Sequence, residues 1–269
     1  MDPVDLSEKD RVKGRVIAAL CALAVLLLSA YASGATLDSP EVPLTVGEEL
    51  TYKLSWVGMN VGTVVARIAG VERINGRDAY VIELTAKTNS FCSKIYPVDD
   101  IFISYVDTQK FMSLKHVVRR SEGRYRKNAE VIFDYGKKKA YFTNFRDGSK
   151  KVFDIPGPVQ DTLSAAYYFR VMDLKAGQNF SYKVVNNEQI YELFGAIGKK
   201  VFITVGHKVY EAFYAEPYAR LRGQRVEKGK ASGYFSCDRL RIPLYGTVKA
   251  PLFTRVTAIL VNKKEGVMQ

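Results

Sequence analysis

Residues 48–56 read EELTYKLSW, and Leu50, Tyr52, Leu54 and Trp56 alternate there with Thr51, Lys53 and Ser55. A period of two puts successive side chains on opposite faces of a strand, so this stretch demands a sheet with one buried face. VGMNVG then supplies a Gly/Asn turn, TVVARIAGVE returns as a second strand, Asn75-Gly76 is a strong hairpin signal, and AYVIELTAK follows as a third strand. DIFISYVD resumes the pattern with Ile101, Ile103 and Tyr105 on one face, and further turns fall at Glu122-Gly123 and Asp147-Gly148. Turn signals recur roughly every 8 to 14 residues, which points to an antiparallel meander rather than βαβ units. The 17 Tyr and 14 Phe suit half-buried pleated surfaces.

One helix interrupts the strands. In DTLSAAYYFRVMDL, Leu163, Ala166, Tyr167, Phe169 or Arg170, and Leu174 recur at helical spacing, with Asp161 as N-cap, Thr162 as first helical position and Gly177 as the stop. A helix this short is expected to cover the open end or face of the sheet. Beyond it NFSYKVVNN, IYELFGAIG, KKVFITVGHKVYEAFYAEPY and the segment 232–261 read as strands again. The fold class is therefore mainly β: a large curved antiparallel sheet, half-barrel-like, with one packed α-helix.

The N-terminus reads as a targeting segment. Lys13 and Arg15 precede the apolar run Val16–Ala30, and Ala30-Tyr31-Ala32 offers small residues for cleavage after Ala32. The run is about 15 residues, short of the roughly 20 that span a bilayer, so cleavage is favoured over a retained inner-membrane anchor facing the periplasm. Leu20 before Cys21 is too large for a lipoprotein signal. The expected organisation is a signal peptide over 1–32, a linker over 33–43, a single β-rich exported domain over 44–262 and a polar tail over 263–269, in the periplasm.

The net charge is +12, and acidic and basic side chains balance within residues 1–32, so the mature chain keeps it. Basic residues bunch in groups such as Arg119-Arg120, Lys137–Lys139 and Arg220–Lys230, mostly near expected turns. Solvated hairpin tips account for most of them. In this compartment the charge suits lipid headgroups, lipopolysaccharide or acidic glycan; nucleic acid is not an expected partner. Membrane contact is expected only through the N-terminal segment or a basic surface.

The inventory for chemistry is thin. His116 and His207 lie in separate alternating runs, and no G-x-S-x-G, H-E-x-x-H, C-x-x-C, G-x-G-x-x-G or P-loop is present, so no cofactor or metal is expected. The weak catalytic candidates are Asp99 and Asp100 in SFCSKIYPVDDIFIS. Adjacent strand residues face opposite ways, so these two carboxylates are expected at a structural corner, one capping the Pro97 turn and the other pairing with a surface Lys or Arg. Enzyme action would require two or more of Asp99, Asp100, Asp134, Asp161 and Asp238 to meet a His in one cleft. Cys92 and Cys237 remain after cleavage and form a disulfide if the sheet curls enough to join their strands, which Cα atoms more than about 7 Å apart would exclude.

VGEELTYKLSWVGMNVGTVV, SKIYPVDDIFISYVD, VQDTLSAAYYFR and FSCDRLRIPL occur in this order. Together they resemble the bacterial exported family of unknown function numbered 3108, across about Val42 to Val261. The resemblance implies a curved antiparallel sheet wrapped towards a half-barrel with a helix against it, and makes Pro97-Val98-Asp99-Asp100 a fold signature. It implies no activity, so no catalytic residue carries over. Cys237 departs from the family's acidic or polar position, leaving Asp238 alone. The expected function is a non-enzymatic binding or envelope-maintenance role with an apolar or anionic lipid ligand. An interaction module working through strand edges ranks next, and a carboxylate-dependent hydrolase of envelope glycan or lipid last.

Overall fold

A computed structural model describes residues 44–226, 231–249 and 255–266. The expected signal peptide, the linker and the end of the basic group Arg220–Lys230, residues 227–230, lie outside these residues. Strands β1 (Glu49–Trp56), β2 (Met59–Ile74) and β3 (Arg77–Thr88) pair antiparallel in succession. The short helix α1 (Ser90–Ser93) turns the chain into β4 (Asp99–Asp107), and β5 (Ser113–Glu122), β6 (Tyr125–Asp134), β7 (Lys139–Asn144) and β8 (Lys150–Asp154) continue the meander. The two-residue β9 (Gln160–Asp161) leads into α2 (Ser164–Val171). Then follow β10 (Asn179–Asn186), β11 (Gln189–Val205), β12 (Lys208–Ala215), β13 (Tyr218–Leu221), β14 (Gln224–Val226), β15 (Ala231–Ser236), β16 (Pro243–Lys249) and β17 (Arg255–Lys264).

The curvature comes from the last strand. β17 pairs with β1, so the ladder runs from β5 back through β1 to β17, then through β16, β15, β12, β11 and β10 to β9. The β9 end folds round towards β5, where Ser113 N donates to Val159 O at 3.0 Å. The sheet is thus a curled, unclosed barrel, with β6–β8 extending past the seam over a satellite core that includes Phe133, Phe142, Val159 and Val185.

Three expectations need correction. The meander is not wholly antiparallel, because β9 pairs parallel with β10 (Val184 with Gln160, Val185 with Asp161). IYELFGAIG and KKVFITV form one strand, β11, which pairs with β10 along its first half and β12 along its second, with a register shift between Ile197 and Lys200. Gly195 permits this, since a Cβ there would lie 2.5 Å from Phe180 Cζ and 2.8 Å from Glu216 O. Finally, Lys263 and Lys264, expected in a polar tail, belong to β17.

Helix α2 spans eight residues and starts later than its apolar spacing predicts. Asp161 lies in β9 but still tethers the helix start, its Oδ1 accepting from Leu163 N (2.8 Å) and Ser164 N (2.9 Å). Of the eight residues only Tyr168 is not buried. The helix therefore fills the curl of the sheet rather than capping its end. Phe169 stacks on Phe235 at 4.5 Å between centroids and meets Phe180 edge-on at 5.7 Å. So short a helix is unstable in isolation, and this packing holds it.

Candidate functional site

The aspartate corner is built from hydrogen bonds. Asn89 caps α1 by accepting from Cys92 N at 2.8 Å, Val98 N donates to Thr88 Oγ1, and Gly123 N donates to Pro97 O. Asp99 is exposed and pairs with Lys87 at 3.2 Å, while Asp100 on the opposite face is fully buried. Asp100 does not cap the Pro97 turn as expected. It accepts from Ser121 N at 2.8 Å and from Arg120 Nε at 3.2 Å. Arg120 also binds Glu122, which is buried beside Asp100. Burial pushes the Glu122 carboxyl up to about 7; Arg120 opposes that rise and the neighbouring Asp100 adds to it.

A second polar knot ties β4, β5, β9 and α2 together. Asp161 accepts from Ser104 Oγ (2.6 Å) and Ser113 Oγ (2.7 Å), and its Oδ1 lies 3.3 Å from His116 Nδ1. His116 Nδ1 is 3.1 Å from Ile103 O, and Nε2 is 3.1 Å from Thr162 Oγ1. Hydroxyl, imidazole and carboxylate are in relay order, but His116 and Asp161 are buried and the carboxylate is committed to two serines and the α2 backbone. The remaining candidates do not join them. Asp134 holds a hairpin turn with Lys137 N at 2.9 Å, Asp238 holds the turn after β15 by accepting from Leu240 N, and His207 is exposed at the β11–β12 turn rather than within a strand. Among the described residues no cluster of three His, Cys, Asp or Glu side chains could hold a metal.

Inside the curl, Arg170 of α2 reaches Glu48 with Nη1–Oε1 at 2.5 Å and Nη2–Oε2 at 2.8 Å, and its Nε donates to Leu240 O. Beside this pair lies a cavity of about 40 Å³, walled by residues including Tyr52, Leu84, Leu163, Ala166 and Phe235. Tyr167 also lines it, and its buried hydroxyl has no partner among the described residues. The space suits a few waters, not an acyl chain.

A larger hollow lies on the other side of the sheet. Ser232, Tyr234, Tyr245 and Thr247 alternate along β15 and β16 with buried Gly233, Leu244, Gly246 and Val248, and so face away from α2. Tyr214, Tyr234 and Tyr245 form a ladder across three strands, at 5.2 and 6.1 Å between successive centroids. At its edge a groove of about 420 Å³ is lined by Tyr214, Glu216, Ser232, Thr247, Lys249 and Arg255. Glu216 is fixed by Tyr214 and Tyr218, whose hydroxyls donate to its two oxygens at 3.0 Å, and burial holds the Tyr214 hydroxyl above its ordinary range. Ser232 and Thr247 hydroxyls meet at 2.8 Å.

Cys92 and Cys237 are both free, so the disulfide conditional on the sheet joining their strands is not made. The curl does not join them: α1 lies by the β1–β2 turn, whereas β15 reaches that end with Ala231 and runs away from it towards Cys237.

The model of the family described as "Protein of unknown function (DUF3108)" matches residues 51–249. The chain belongs to this family. A β-barrel-like protein of the domain of unknown function DUF1849 from Brucella abortus is similar in fold, with a TM-score of 0.55 at 8% identity, over 82% of this chain and 98% of that one. Two weaker similarities are to a protein described as exported, with a YmcC-like fold, from Bacteroides fragilis (9% identity, 84% and 100% covered, TM-score 0.34) and to a protein described as a lipoprotein from Parabacteroides distasonis (9%, 84% and 99%, 0.32). Their TM-scores are too low to bear on this chain. No curated protein matches it. Among the described residues no helix is long and apolar enough to cross a membrane.

Sequence reasoning missed the groove and the Glu48–Arg170 pair. An arginine within the apolar helix run AAYYFRVM was the available signal for the second. The first had none, because its residues come from strands distant in sequence.

Proposed function

We propose that this family member is a non-enzymatic binding protein of the bacterial envelope, exported to the periplasm, whose ligand is anionic and rich in hydroxyls, as an acidic or phosphorylated sugar is. The groove of about 420 Å³ carries this reading. Its volume falls within the range of small-molecule sites, roughly 300 to 1,000 Å³. Lys249 and Arg255 supply positive charge, Tyr214 a flat apolar face, and Glu216, Ser232 and Thr247 acceptors and donors for hydroxyl groups. The overall charge of +12 favours an anionic ligand.

The apolar-ligand alternative loses ground because the interior cavity is about 40 Å³. A hydrolase is disfavoured by the scatter of the aspartates and by the burial of the His116–Asp161 pair. A strand-edge interaction module is disfavoured at β8, where Lys150 and Lys151 guard the edge.

Calorimetric titration of the chain with a hexose phosphate, a hexuronic acid and the parent neutral hexose tests the proposal. Binding of an acidic sugar that Arg255→Ser weakens about tenfold or more is expected from loss of a charge-assisted contact. Equal binding of neutral and acidic sugars, or binding that Arg255→Ser leaves unchanged, would overturn it.

A further inference from the structure

At one end of the curled sheet, large apolar side chains face solvent. Val57 and Met59 at the β1–β2 turn are 63% and 58% exposed, and Phe91 and Ile95 at the aspartate corner are 69% and 66% exposed. They share one rim, because Asn89 N donates to Val61 O (3.1 Å) and Asn89 Nδ2 to Asn60 O (2.7 Å), which presses the corner against the β1–β2 turn. The β5–β6 turn joins the same rim through Gly123 N to Pro97 O at 2.8 Å. Scattered exposed apolar residues are ordinary; four gathered on one rim mark an interaction surface.

The surroundings indicate what that surface meets. Lys94, between Phe91 and Ile95, is exposed, as are Arg124 and Arg126 at the adjoining turn. Asp99, an exposed carboxylate on this rim, is paired with Lys87. Apolar tips ringed by cations match the boundary of an anionic bilayer, where apolar side chains enter the acyl edge and basic ones stay among the headgroups. We propose that this rim docks on the surface of an anionic membrane, with Val57, Met59, Phe91 and Ile95 entering the interface. The proposal does not depend on the ligand of the groove.

The chain's one tryptophan, Trp56, ends β1 directly beside Val57 and reports on the rim. The full chain is mixed with phosphatidylethanolamine–phosphatidylglycerol vesicles bearing brominated acyl chains, and quenching of Trp56 fluorescence is followed. This readout separates rim docking from any hold the N-terminal apolar run has on the bilayer. Quenching is expected, with apparent affinity reduced about tenfold or more by Phe91→Ser with Ile95→Ser, and reduced again by Arg124→Ser with Arg126→Ser or by phosphatidylcholine vesicles. Circular dichroism checks that the variants remain folded. Unquenched Trp56, or equal quenching in the apolar variant, would overturn the proposal and turn the rim towards a protein partner.

Discussion

Arg170 and Glu48, 122 residues apart in sequence, form a two-pronged ion pair inside the curl of the sheet, with both residues buried. Two charges withdrawn from water are tolerated only while each answers the other. Arg170→Met should therefore destabilise the protein by about 3–5 kcal/mol by stranding Glu48. Glu48→Leu combined with Arg170→Met should recover much of that loss. Urea unfolding of the three proteins measures it, and additive losses in the double variant would contradict the coupling.

The Glu122 carboxyl is pushed up to about 7, against an ordinary value of 4.5. A raised acid binds its proton more tightly in the folded state, so stability falls as pH rises between these two values and levels off above about 7. At about 1.4 kcal/mol per unit, the span amounts to no more than roughly 3.5 kcal/mol. Unfolding free energies from pH 4.5 to 8 should show this fall in the parent protein, and Glu122→Gln should flatten it. An unchanged slope in the variant would place the titration elsewhere.

Asp161 binds two serine hydroxyls and two backbone amides at the junction of β9 and α2. Asp161→Ala leaves those donors buried without an acceptor and should cost about 2–4 kcal/mol. Amide exchange should report the loss first in α2. A loss confined to β1–β3 would contradict the assigned tether.

Gly195 lies where a Cβ would meet Phe180 and the Glu216 carbonyl. Gly195→Ala should cost about 1–3 kcal/mol by overpacking, whereas Gly70→Ala, with open space around it, should cost much less. Thermal unfolding of both variants measures the contrast.

Local rules made most of the fold readable. The period-two run from Leu50 to Trp56 is β1, with Leu50, Tyr52 and Leu54 buried and Trp56 half-buried. Asn75-Gly76 is a hairpin turn with both residues at positive φ, 50° and 79°. Long-range placement was less readable. Periodicity identified α2 but not its burial inside the sheet, which follows from β17 pairing back on β1 across the whole chain. IYELFGAIG and KKVFITV read as separate strands, although in β11 Gly195 and Gly198 admit Phe180 and Tyr214 against one continuous strand. The opposite facing of Asp99 and Asp100 was legible because strand alternation is local, whereas the partners of Asp100, Arg120 and Ser121, come from the next strand and were not. The groove was not, because Tyr214, Ser232, Thr247 and Arg255 meet only through the order of β12, β15, β16 and β17.

The groove is the centre of the functional account, and residue-resolved titration tests it most directly. Amide chemical shifts of the isotopically labelled chain should be followed as the acidic sugar that binds most tightly by calorimetry is added. The account predicts saturable shifts concentrated at Tyr214, Glu216, Ser232, Thr247 and Arg255. Shifts centred instead on α2 and the interior around Tyr167, or no saturable shift at the groove residues, would contradict it.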